Sequence, residues 1–218
     1  GETIDYGPCA FLDEYNPNKV FSSIDKNGRY AFNNQPKIAL WNLARLAETF
    51  LHLIDSDENT AIKKIENILK KYEAKYNDLW LEMMKSKIGI NQNHDKDKDL
   101  IKEFLDLMQI FKLDYTNTFI ALKNNDLKKY DFMNEWISKL KLRKKINKSG
   151  KENKFVNPNI IPRNHIVENV LNECKVGNYK KLNSFISLLK NPYNSDIPEE
   201  FSKEPSNEER VYETFCGT

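Results

Sequence analysis

Apolar residues change their spacing along this chain, and the change marks the elements. From Pro36 onward they recur at intervals of three and four, the period of a helix with one covered face. Leu40, Trp41, Leu43, Ala44, Leu46, Ala47, Phe50, Leu51 and Ile54 form a wide apolar face, which predicts one well-buried helix beginning at Pro36, a residue suited to a first helical position. Ile62, Ile65, Ile68, Leu69, Tyr72, Tyr76, Leu79, Trp80 and Met83 predict a second helix over about 60–88. After a polar break at 91–98, Leu100, Ile101, Phe104, Leu105, Met108 and Phe111 predict a third. Asp114 reads as the N-cap of a short helix through Phe119 and Leu122, and Phe132, Trp136, Ile137 and Leu140 mark another around 130–146. Pro162 then opens a helix that Gly177 closes, and a last one covers 179–190 before Asn191-Pro192.

The first 35 residues follow neither period. They read as a short strand and a long loop with turn signals at Gly7-Pro8, Asn16-Pro17 and Asn27-Gly28. Tyr6, Phe11, Tyr15, Phe21, Tyr30 and Phe32 would pin such a loop to a body, and ordered loops of this length are usually functional. The expected organisation is a strand and loop over 1–35, a helical body over 36–146, a basic linker over 147–156 and a helical extension with an extended tail over 157–218. The fold class is mainly α, with an initial strand that must pair with something outside the 218 residues.

Composition narrows the picture modestly. The chain is 39% hydrophobic, 30% charged and 11% aromatic, polar for a globular protein yet too rich in core formers for disorder. A formal charge of +2 names no polyanionic partner. Three cysteines are no disulfide framework, and no apolar run is long enough to span a bilayer. With no secretory segment at the start, the expected setting is a soluble, reducing compartment with no membrane partner. The chain begins at Gly1 in a dense, motif-like stretch, so residues are expected to precede it.

That stretch, Thr3-Ile4-Asp5-Tyr6-Gly7-Pro8, carries the candidate chemistry. A carboxylate at the end of a short strand, followed by an aromatic and glycine, is how protein-kinase folds hold the metal on ATP phosphates. Three residues alone recur often by chance and read more readily as a structural turn. Their surroundings add more. Gly1 through Asp13, Val20 through Asp25, Gly28-Arg29-Tyr30-Ala31-Phe32 and Asn34-Gln35-Pro36 running into Leu40 through Thr49 resemble the selenoprotein O family. So do Asp114 through Phe119, Asn157-Pro158 with Ile161-Pro162-Arg163-Asn164-His165, Lys190 through Tyr193, and Glu209-Arg210-Val211 with Thr214 through Thr218. The blocks run in order from the first residue to the last, and are thinnest over 55–113 and 126–155.

This resemblance implies the C-terminal lobe of a protein-kinase-like (pseudokinase) fold. It implies an enzyme that transfers AMP from ATP to hydroxyl side chains of proteins, using Mg²⁺ or Mn²⁺. The family aspartate that ligates this metal beside the nucleotide phosphates is here Asp5. The family's catalytic base, second metal ligand and glycine-rich loop lie before the matched region, so the 218 residues are expected to be inactive alone. Alternatives are a non-catalytic pseudokinase scaffold or truncated gene product, and an ordinary phosphoryl-transferring kinase relative. The implied location is cytoplasmic in a bacterium, the favoured source, or mitochondrial in a eukaryote.

Cys216 stands where many eukaryotic family members carry selenocysteine, and relatives can pair a C-terminal cysteine with one in the loop after Asp-Tyr-Gly. Only Cys9 is available for that here, so a Cys9–Cys216 bridge is one reading and an unpaired thiol the other. Cys174, within a helix, reads as a small buried apolar residue. His52, His94 and His165 lack metal-ligand spacing, and His165 reads as structural or capping. Asp95, Asp97 and Asp99 alternate as in a calcium loop, but Leu100 and Asp106 stand where such a loop needs Gly and Glu, so they read as a solvated helix start. The basic run from Lys139 to Lys154 lacks interleaved aromatics and reads from Arg143 onward as an exposed linker, with no nucleic-acid partner.

Overall fold

A computed structural model of the chain describes residues 11–146 and 156–214. The strand expected around Asp5 and most of the basic linker lie outside the described residues. The architecture is mainly α, as the periodicity predicts. The described residues hold ten α-helices, short 3₁₀ turns and two isolated β-bridges. They fall into two compact units. The described part of the first is 17–82 with 213–214, and that of the second is 11–16, 83–146 and 156–212.

In the first unit the loop over 17–34 is held by hydrogen bonds of its own. The amides of Phe32 and Asn33 donate to the carbonyls of Lys19 and Pro17 at 3.0 and 2.8 Å. The Asp25 carboxylate accepts from the Arg29 and Tyr30 amides, both at 2.8 Å, closing a turn in which Gly28 adopts φ +65°. Helix α1 (Gln35–Glu48) carries Pro36 in its first turn. The single helix expected from Pro36 to Ile54 is in fact two, α1 and α2 (Leu51–Ile54). The amides of Thr49 and Phe50 reach back three residues to Leu46 and Ala47, and the Thr49 hydroxyl also donates to the Leu46 carbonyl at 2.7 Å. A side-chain donor thus competes for the ladder and tightens the last turn.

The second expected helix is also divided, into α3 (Glu58–Leu69), capped by Asp57 through the Thr60 amide at 2.8 Å, and α4 (Tyr72–Ile88). At the break the Lys71 amide bonds the Ile68 carbonyl three residues back. The apolar stripe keeps its phase through Leu69, Tyr72 and Tyr76, so periodicity gives no sign of the interruption. Helices α1 and α2 pack against α3. The expected burial of α1 is a second correction: among the described residues none of its side chains is buried, and Trp41 and Leu46 are 49% and 53% exposed. A wide apolar face reports that something covers it, not that neighbours in these 218 residues do.

The second unit has a closed core. Helix α5 (Asp97–Ile110) lays Leu100, Ile101, Phe104 and Met108 inward, with α6 (Tyr115–Lys123) and α7 (Asn134–Lys145) completing it. Phe104 stacks on Trp136 at 4.2 Å and meets Phe119 edge-on at 5.3 Å, and the Trp136 indole donates to the Leu100 carbonyl at 2.8 Å. Asp114 is the N-cap the sequence predicts, accepting from the Asn117 amide at 2.7 Å.

A second cluster joins Ile160 to α8 (Asn164–Lys175), α9 (Lys180–Leu189) and α10 (Glu199–Ser202) through Ile166, Val170, Phe185 and Phe201. Gly177 closes α8 at φ +80°, its amide bonded to the Cys174 carbonyl at 2.9 Å. The helix begins two residues beyond the expected Pro162, with Arg163 at the N-cap. Arg143, expected to open an exposed linker, is buried inside α7, and Asp97, expected in a solvated helix start, is buried as its partner.

Candidate functional site

Asp5, Cys9 and Cys216 lie outside the described residues. What the structure does define is how the segment following Asp5 is anchored. Over 11–16 it runs antiparallel to the entry of α6 in a single bridge between Glu14 and Asp114. The Tyr15 amide donates to the Leu113 carbonyl at 2.9 Å, and the Tyr115 amide to the Asp13 carbonyl at 2.7 Å. Leu12 and Tyr15 are buried, and Tyr15 stacks on Tyr115 at 5.5 Å. Burial, with the nearby Asp106 charge, pushes the Tyr15 phenol above its ordinary value.

Arg163 sits at the centre of this anchor, 1% exposed. Its Nη1 donates to Asp13 Oδ1 at 2.5 Å and to Asp114 Oδ2 at 2.6 Å, while Nη2 donates to Asp114 Oδ1 at 2.9 Å and Asn117 Oδ1 at 3.1 Å. Asp114 therefore caps α6 and grips the guanidinium with both oxygens, the bidentate geometry that makes such pairs strong. Burial opposes the Arg163 charge, but Asp114 and then Asp13 outweigh it and hold the group above its ordinary value. A peripheral strut joins Arg210 Nη1 to Glu14 Oε2 at 2.7 Å. Chemically the Arg163 cluster is a clamp, since its carboxylates face a cation already in place.

Two neighbours of the clamp have unusual surroundings. His165 is buried at the start of α8, and neither ring nitrogen has a hydrogen-bond partner. The structural reading of His165 holds and the capping reading does not. Burial is the main cause lowering its pKa from the ordinary 6.5; Asp13 and Glu209 oppose that shift, and Arg163 and Lys203 add to it. The Lys87 amine lies 4.3 Å from the Phe119 ring centroid and 5.6 Å from that of Tyr115, and burial pulls its pKa down to about 8. A second clamp lies elsewhere in the same unit. Arg143 Nε donates to Asp97 Oδ1 at 2.6 Å, and its Nη2 to Asp97 Oδ2 at 3.1 Å and the Gln92 carbonyl at 2.6 Å.

Among the described residues, no group of three or more His, Cys, Asp or Glu side chains could hold a metal ion. Asp13, Asp97 and Asp114 are each committed to an arginine. The described residues thus do not fit the Mg²⁺ or Mn²⁺ that the sequence resemblance implies, and that expectation rests on Asp5 alone. No described helix is long and apolar enough to cross a membrane. Cys174 is partly buried against the Ile166–Phe185 cluster and free, in keeping with its reading as a small apolar residue.

Sequence reasoning missed both clamps, although one signal was available. Asp13, Asp114 and Arg163 each belong to a different block of the family resemblance, and the structure brings those blocks together around one guanidinium. Comparison with known proteins agrees with that resemblance. Residues 1–149 match the family model described as protein adenylyltransferase SelO. A protein nucleotidyltransferase YdiU of Clostridium botulinum is 46% identical over 230 aligned positions, covering 100% of this chain and 47% of the relative. Relatives of the same name from Pelagibacter ubique and Bacillus cereus are 46% and 41% identical, with the same coverage of each chain. The chain thus spans about half the length of these curated relatives, and it belongs to the SelO protein adenylyltransferase family.

Proposed function

We propose that these 218 residues are the C-terminal part of a protein nucleotidyltransferase that moves AMP from ATP to Ser, Thr or Tyr hydroxyls of other proteins. The observation that carries this reading is the family match over residues 1–149, together with 41–46% identity over the whole chain to relatives named protein nucleotidyltransferase. In that transfer a substrate hydroxyl oxygen attacks the α-phosphorus, the bond to the bridging oxygen breaks, and pyrophosphate leaves. A divalent metal, Mg²⁺ or Mn²⁺, would supply charge neutralisation for the leaving pyrophosphate. Asp5 is the residue of this chain assigned to hold it. The proposed fold context is the C-terminal lobe of a kinase-like (pseudokinase) fold, supported by the mainly helical body.

The second unit's part in this reading is mechanical. Asp13, eight residues after Asp5, is tied to α6 and α8 by Arg163, which gives the segment leaving the motif a rigid footing. The 218 residues alone should not transfer AMP, because relatives carry about as much chain again outside the matched part. The bacterial relatives make a bacterial cytoplasm the proposed setting.

The test is ATP labelled at the α- or γ-phosphate, given to a family-length protein carrying this chain, wild type against Asp5→Ala. Incorporation of α-label that disappears in Asp5→Ala is the expected result. Undiminished incorporation in the variant overturns the role of Asp5, γ-label incorporation points to an ordinary kinase, and no label in either protein points to a non-catalytic scaffold.

A further inference from the structure

The apolar surface left open on the first unit is continuous. A groove of about 530 Å³ is lined by Leu46, Phe50, Leu69, Tyr72, Tyr76 and Leu79, and an adjoining one of about 310 Å³ extends past Ile65 and Leu53. Isolated exposed apolar residues need no explanation, but a contiguous patch does, since monomeric proteins seldom leave large ones bare. Here the patch runs across four helices, α1 to α4, and includes strongly exposed residues: Leu53 is 81% exposed and Ile68 is 68% exposed.

We propose that this groove seats an amphipathic helix from the part of the family-length protein that these 218 residues do not include. Three observations select that occupant. The groove lies wholly within the 1–149 stretch matched by the family model, so it belongs to the shared part of these proteins. The relatives carry more than half of their length outside the part aligned to this chain, enough for further helices. The rim carries Lys71 and Lys75, whose ammonium groups pair with no carboxylate among the described residues. The occupant therefore presents apolar residues at helical spacing to the groove and Asp or Glu to the rim, the helix-in-groove mode of recognition. The proposal rests on family membership and not on adenylyl transfer, so its test contains no nucleotide.

Leu46→Cys and Ile68→Cys are introduced separately, in the 218-residue chain and in a chimera where that chain replaces the matching region of the Clostridium botulinum relative. Maleimide labelling at each site is followed by peptide mass spectrometry, which separates it from the native cysteines. Both sites should label quickly in the chain alone and at least about tenfold more slowly in the chimera, as a covered face opens only transiently. Lys71→Glu with Lys75→Glu should restore fast labelling in the chimera. If the chimera does not fold, the same substitutions at the aligned positions of the unmodified relative give the reading. Equally fast labelling in the family-length protein overturns the proposal. Slow labelling in the chain alone overturns it as well: when it depends on concentration the occupant is a second copy, and when it does not the occupant is the chain's own sequence.

Discussion

The two units answer the same sequence pattern differently. Both are built from helices with apolar stripes at three-and-four spacing. In the second unit the stripes converge, so that Phe104, Phe119 and Trp136 are fully buried and two arginine–carboxylate clamps sit within the fold. In the first, α1 buries nothing among the described residues and α3 buries only Ala61. Amphipathic strength does not separate them, since α3 and α5 are both well-patterned helices. Burial is a property of the company a helix keeps, and a sequence pattern reports only the demand for it.

If the second unit is the self-sufficient one, its interior must be costly to damage. Arg163→Met should destabilise it by about 3–5 kcal/mol, because it leaves Asp114 and Asp13 as uncompensated charges in and beside the core. Urea unfolding followed by Trp136 fluorescence measures this, and adding Asp114→Asn should recover part of the loss. A change below about 1 kcal/mol would mean the clamp is solvated, as surface pairs are. Asp97→Asn, which keeps shape while removing charge from the Arg143 clamp, should cost less, about 1–3 kcal/mol by the same measurement.

Acid should also act on the second unit. His165 is held neutral by burial, so its folded pKa lies below the ordinary 6.5. The unfolded chain then binds the proton first. Stability is unaffected well above 6.5, falls as pH drops below it, and stops falling once the folded imidazole protonates too. His165→Phe should flatten that part of a stability-versus-pH curve measured between pH 8 and 5, by a smaller amount than either clamp substitution. An unchanged slope in the variant would show that the ring has a partner or water access when folded.

Much of the fold was legible in the sequence, and the failures share a physical origin. The third helix, the Asp114 cap and the Gly177 stop were readable because each is local: a stripe, a carboxylate before a helix, a glycine after one. The divisions at Thr49 and Lys70 were not, because an apolar stripe can keep its phase across a turn that lacks Gly or Pro. Charge was misread where its partner is remote. Asp97 and Arg143 are 46 residues apart, so each looked like a solvated residue until the chain was folded, and the pairing of Asp114 with Arg163, 49 residues apart, left no local trace. The candidate site was legible only through resemblance, since Asp5 within Asp-Tyr-Gly-Pro has no local feature that distinguishes it from a turn.

The smallest expected effect bears most directly on the contrast between the units. Leu46→Glu places a charge on the α1 face, where Leu46 is 53% exposed. In the 218-residue chain it should shift stability by no more than about 0.5 kcal/mol, the range of ordinary surface substitutions. A buried Leu so replaced would lose its packing and strand a carboxylate, costing several kcal/mol. The same substitution in a family-length protein should therefore be far more damaging than in the chain alone if the groove is seated there. Thermal unfolding of both proteins, wild type and variant, gives the difference. A large loss already present in the 218-residue chain would place Leu46 in a core of its own unit, and the contrast between an open and a closed unit would fail.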